Sequence, residues 1–115
     1  MPGELPLLKG TVDMLVLKAL SWGPLHGFGI SQWLDARSTG RLGLDDSSMY
    51  QVLHRLEGAG FVDAEWRVTE NNRRARFYVL TPAGRVHLKA QTATWLRYSD
   101  AVTSLMTSRT RSAPA

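Results

Sequence analysis

Ser47, Ser48, Tyr50, Gln51, His54 and Arg55 are spaced so that they share the free side of one short helix. The other side carries Met49, Val52, Leu53 and Leu56, which recur at helical period and require a core. The free side is therefore a row of hydrogen-bonding groups on a rigid rod. The Gln51 amide offers a donor and an acceptor together, the pattern that pairs with adenine, and Arg55 or His54 can reach guanine or a phosphate. Ser47 and Ser48, with free backbone N–H groups at a helix start, suit phosphate contact. Tyr50 fits a phosphate contact through its hydroxyl, or packing against a neighbouring helix. A helix with this mixture in its N-terminal half is of the kind that reads base edges in a DNA groove. Asp45 and Asp46 oppose a polyanion, and Asp46 is expected to cap the helix instead.

A second cluster follows. Arg67, Arg73, Arg74 and Arg76 fall within ten residues, opposed only by Glu70. A local cluster says more than the formal net charge of +4. Taken alone it equally fits a solvated turn. Taken with the helix, Asn71, Asn72, Arg73, Arg74 and Arg76 would follow a phosphate backbone or enter a minor groove. About six such phosphate contacts in a dimer would give log affinity a slope near −5 against log salt.

Catalytic chemistry finds no support. His26, His54 and His87 lie on different expected helices, with no carboxylate at metal-ligand spacing. The chain has no cysteine, which excludes disulfides and thiol catalysis and removes the commonest zinc ligands. Gly27-Phe28-Gly29 follows no strand and is too weak a signal for a nucleotide loop. The expectation is a non-enzyme without cofactor or metal. No apolar run approaches the roughly 18 residues of a membrane span, and no secretory signal is recognised, so the expected compartment is the cytoplasm.

The elements that must position these residues read as follows. The 115 residues suffice for one domain, and 43% hydrophobic with 21% charged content is ordinary for a globular chain. Residues 1–6 read as a loose leader. A first helix is expected from Lys9, capped by Thr11, with Val12, Leu15, Val16, Ala19 and Leu20 as its buried stripe, stopped at Gly23-Pro24. A second runs from about His26 to Ala36, burying Ile30, Trp33 and Leu34, with Gly27 and Gly29 allowing close approach. A loop over Ser38–Gly43 leads to the third helix, from Asp46 or Ser47 to Glu57. From Phe61 to Val68 the pattern alternates, with Val62, Ala64, Trp66 and Val68 on one half-buried face. Thr69–Arg74 forms a turn and Arg76–Leu80 the returning strand. Thr81-Pro82 starts a last helix that can reach Ser108. This is a mostly α, α+β chain with the order of a winged helix-turn-helix. Residues 7–81 are the expected DNA-binding domain, 82–108 a long C-terminal dimerisation helix and 109–115 a fraying tail.

The last helix would be roughly 40 Å long, against about 30 Å for the preceding unit. Leu88, Trp95, Tyr98, Val102 and Leu105 keep an apolar seam along it, with Gln91 at the polar position. A second copy related by two-fold symmetry would cover that seam. The alternative is a helix folded back wholly on its own domain. A dimer would present two reading helices about 34 Å apart, matching a palindromic operator.

The stretches Leu8–Leu20, Gly23–Ile30, Ser48–Glu57 and Glu70–Gly84 closely resemble the PadR family of bacterial transcriptional regulators, and the resemblance runs from Leu7 to about Trp95. It is similar to the short-chain branch with one terminal helix. The resemblance implies a homodimeric winged-helix repressor of detoxification, efflux or stress genes, with DNA contacts from the Ser48–Arg55 helix and the Asn71–Arg76 wing. It also implies an aromatic effector near the dimer interface, for which Trp95 and Trp22 are the candidate stacking residues. Met49-Tyr50-Gln51 replaces the frequent Leu-Tyr-Pro, and Gly27-Phe28-Gly29 the usual Gly-Tyr-Gly. The competing reading is a winged-helix module for protein interaction or ligand sensing, without sequence-specific DNA binding.

Overall fold

A computed structural model describes residues 5–8 and 10–112. Lys9, part of the leader and residues 113–115 of the tail, on which expectations were placed, lie outside the described residues. The elements in chain order are α1 (Val12–Ala19), a 3₁₀ turn (Leu20–Trp22), β1 (Leu25–His26), α2 (Gly27–Arg37), α3 (Asp46–Gly58), β2 (Val62–Val68), β3 (Arg74–Leu80) and α4 (Pro82–Met106). The strands form one antiparallel sheet in the order β1-β3-β2. This is the winged helix-turn-helix with a long terminal helix.

α1 is buried on more than the expected stripe. Leu17 is fully buried with Val16, Ala19 and Leu20, whereas Val12 and Leu15 are half-buried. The reason is that α1 packs against α2, α3 and α4 together. Thr11 does not cap it through its side chain; the hydroxyl donates backwards to the Leu8 carbonyl at 2.7 Å. Gly23 ends the 3₁₀ turn with φ +152°. β1 was not anticipated, because two residues after a proline carry no periodicity. His26 lies outside α2 and caps it, its Nδ1 accepting from the Gly29 N–H at 2.9 Å. Gly27 lies in ordinary contact distance of Met49. Ile30 and Leu34 are buried, and Trp33 is half-buried against Trp22, with ring centroids 5.4 Å apart.

α3 is capped by Asp45 and not by Asp46, as the Asp45 carboxylate accepts from the Ser48 N–H at 2.7 Å. Met49, Val52, Leu53 and Leu56 all lie in the core. The hairpin is longer on its return than expected, since β3 begins at Arg74. Burial along the inner face of β2 fades from Val62 through Ala64 to Trp66 and Val68, which are exposed. The hairpin simply projects beyond the core there. Asn72 takes φ +59° in the turn, which asparagine tolerates.

Thr81 caps α4 as expected, accepting from the Gly84 N–H at 2.9 Å, and its hydroxyl also donates to the Gly60 carbonyl at 2.7 Å. Pro82 occupies the first turn and the helix ends at Met106, two residues early. The described chain measures 63 × 35 × 21 Å, and residues 100–112 are all exposed. The helix overhangs; it does not fold back along its whole length.

Candidate nucleic-acid interface

The exposed side of α3 carries Ser47, Tyr50, Gln51, His54 and Arg55, while Ser48 is half-buried. The Ser48 N–H is already taken by Asp45, so it is not the free donor the sequence reading assumed. Hydrogen bonds from Ser48 hold the Asp45 carboxyl below its ordinary range. Tyr50 does not pack on α2. Its ring stacks along its own helix on His54, with centroids 5.8 Å apart and planes at 14°. Arg55 turns back towards α1 and forms an ion pair with Asp13.

The wing residues divide into two sets. The tip is closed by the Thr69 N–H donating to the Arg73 carbonyl at 2.7 Å and the Asn72 N–H donating to the Thr69 carbonyl at 2.9 Å. That leaves the Asn71, Asn72, Arg73 and Arg74 side chains exposed together. Arg67 and Arg76 are engaged within the chain: Arg67 pairs with Glu65 at 2.8 Å and Arg76 with Glu57 of α3 at 2.9 Å. Trp66, 56% exposed, lies beneath both Arg74 and Arg76, whose guanidinium carbons sit 5.0 and 5.9 Å from its ring centroid. Sequence reasoning missed this role for Trp66 because alternation alone assigned it to the core. Its cross-strand partner, Arg76, was the available signal.

Between α3, the start of α2 and the wing lies a cleft of about 560 Å³. Tyr50, Phe28, Arg73 and Arg74 line its walls, and Asp46 stands with them. The buried Tyr78 closes its floor, and burial pushes the phenol of Tyr78 up against the opposing pull of Arg76. The cleft thus joins the polar side of α3 to the guanidinium-bearing tip.

A second concavity, of about 620 Å³, runs between the leader, α1 and α4. Trp95 and Tyr98, with centroids 6.3 Å apart, line it with Met14 and Gln91, whose Oε1 is buried without a partner among the described residues. Trp22 is not part of this groove. It sits in the 3₁₀ turn against Trp33 and under the Lys18 ammonium, 4.7 Å from the ring centroid. Leu88, expected on the intermolecular seam, belongs to the core of its own domain. The exposed part of the seam begins further on, with Leu96, Tyr98, Val102, Leu105 and Met106. His87 stacks face to face on Phe61 at 4.1 Å. No helix among the described residues is long and apolar enough to cross a membrane.

Comparison with known proteins agrees with this arrangement. A Streptococcus mutans protein, smu.1704, shares the fold with a TM-score of 0.80 at 26% identity, covering 95% of this chain and 98% of that one. A PadR-family transcriptional regulator from Eggerthella lenta aligns with a TM-score of 0.75 at 26% identity, covering 88% and 86%. An uncharacterized 37.1 kDa protein of transposon TN4556 from Streptomyces fradiae is 42% identical over 90 residues, which are 78% of this chain. The chain spans only about a quarter (24%) of that relative's length. The model of the PadR-like transcriptional regulator family matches residues 16–90. With that match over more than half its length, the chain belongs to the PadR-like family of DNA-binding transcriptional regulators.

Proposed function

We propose that the chain acts as a homodimeric repressor that binds a palindromic operator and is released by a small aromatic effector. The observation that carries the DNA contacts is the adjacency of two surfaces: the α3 row of Ser47, Tyr50, Gln51 and His54, and the tip bearing Asn71, Asn72, Arg73 and Arg74. In this reading Gln51 meets a base edge in the major groove, and the tip follows the phosphates. Asp45 and Asp46 repel a polyanion, but Asp45 is held by capping and the arginines stand beyond both. Arg55 is tied back to Asp13 and takes a lesser part.

Dimerisation is supported by α4. Tyr98 and Leu105 are 63% and 71% exposed on a helix that extends past its domain, and two such helices would cover each other. The groove beside Trp95 opens along the same helix, so an aromatic guest stacked on Trp95 would act on the relative placement of the two reading helices. Detoxification, efflux or stress genes are the proposed targets, and the cytoplasm the proposed compartment.

The test is affinity for a random-sequence duplex against salt, with sedimentation to establish the dimer. Arg73→Ala with Arg74→Ala removes four charges from a dimer, so the log–log slope should flatten by about 3.6. An unchanged slope, or single chains at micromolar concentration, would contradict the proposal.

A further inference from the structure

We propose that Arg76 is a positioning residue and not a phosphate ligand: held by Glu57 of α3 and stacked on Trp66, it braces the wing against the reading helix. Arg73 and Arg74 are then the wing cations that meet DNA. The inference rests on the DNA-binding reading above and assigns a different role to one of its expected contacts.

The register supplies the first part of the argument. Val62 pairs with Leu80, Ala64 with Tyr78, Trp66 with Arg76 and Val68 with Arg74, so all eight share one face of the hairpin. The first two pairs are held in the core, and the last two lie beyond it. The hairpin is therefore a lever supported at its root, and its free part, about 3.3 Å longer with each residue, bears the tip. A two-stranded ribbon without packing is marginal and twists easily. A small rotation at the root moves Arg73 and Arg74 out of step with whatever Gln51 reads.

Arg76 sits at the point where packing ends. Its Nη2 donates to the Glu57 Oε2 at 2.9 Å, bridging β3 to the last turn of α3. Its guanidinium carbon lies 5.9 Å from the Trp66 ring centroid, within the range of a cation–π contact. A guanidinium already matched by a carboxylate contributes little net charge to a phosphate, and reaching one would break the bridge. Among the described residues, neither Arg73 nor Arg74 has a carboxylate within 4.0 Å. Arg74, 5.0 Å from the other side of the Trp66 contact, is ordered by the indole but keeps its charge for solvent or DNA.

Two measurements on the full chain test this. In the free protein, ¹⁵N relaxation of the Arg76 Nε–H should report a restrained side chain. It should become as mobile as Arg73 in Glu57→Gln and in Trp66→Ala, and recover in Trp66→Phe. Equal mobility of Arg76 and Arg73 in the parent would overturn the brace. On DNA, the probes are a duplex enriched from a random pool and an unselected random duplex. Arg76→Gln should leave the salt slope unchanged and lower the preference for the enriched duplex about two- to fivefold, the scale of one lost cation–π contact. Glu57→Gln should do the same, and the double variant no more, because both break one bridge. A slope flattened by about 1.8 in Arg76→Gln, the value for two lost phosphate contacts per dimer, would overturn this inference alone. A parent that binds no duplex would overturn the DNA-binding reading and this one together.

Discussion

Replacing Gly84 by alanine would put a methyl carbon 2.1 Å from the Phe61 carbonyl oxygen and 2.8 Å from Leu80 Cδ1. Ordinary contact begins beyond 3 Å, so α4 or the start of β2 must move by about an ångström. The Phe61 carbonyl cannot yield freely, because it accepts the Thr81 N–H at 3.1 Å. Overpacking of this kind costs about 1–3 kcal/mol, and the strained hydrogen bond about 1 more. Alanine's better helix propensity returns about 1 kcal/mol. The net expectation is a loss near 2 kcal/mol, or roughly 8 °C or more in Tm. Gly58, the last residue of α3, has nothing within 4 Å of a built Cβ and no positive φ. Gly58→Ala should therefore be neutral or stabilise by up to about 1 kcal/mol. Urea denaturation at fixed protein concentration compares the two directly. Equal stability of Gly84→Ala and the parent would refute the close crossing of α4 over β2.

Three further outcomes are expected. Thr81→Ala removes the α4 cap and the hydroxyl bridge to Gly60, and should lower stability by about 1–2 kcal/mol in the same denaturation series. Leu56→Ala empties a site only 1% exposed and should lower it by about 2–5 kcal/mol. For Asp45, whose folded pKa is depressed, the capping contribution is complete above its unfolded value of about 3.9 and disappears as pH falls through the lower folded value. Asp45→Asn should therefore lose part of the acid-dependent destabilisation between about pH 4 and pH 2, as followed by circular dichroism; an identical acid profile would exclude the cap.

Much of this was legible because period and punctuation coincide. Met49, Val52, Leu53 and Leu56 specify one face of α3 whatever surrounds them, and Thr81-Pro82 marks the start of α4 from local chemistry. The arginine-tipped turn followed from composition. What escaped depends on contacts between distant segments. β1 exists only because β3 lies beside it. Leu17 is buried because three helices surround α1, and Leu88 because its own domain reaches that far along α4. The choice of Asp45 over Asp46 as cap depends on a single backbone conformation, extended at Asp45. At the candidate interface, residue type identified the cations, but charge partners decided their standing: Asp13 takes Arg55 and Glu57 takes Arg76, forty-two and nineteen residues away.

The account depends most on paired α3 helices selecting a DNA sequence, and repeated selection of duplexes from a random pool by the full chain measures that directly. The expected product is an inverted repeat with half-sites about one helical turn apart, its preferred bases altered by Gln51→Ala. A pool that stays random after successive rounds, at a salt concentration where the chain is dimeric and folded, would contradict it.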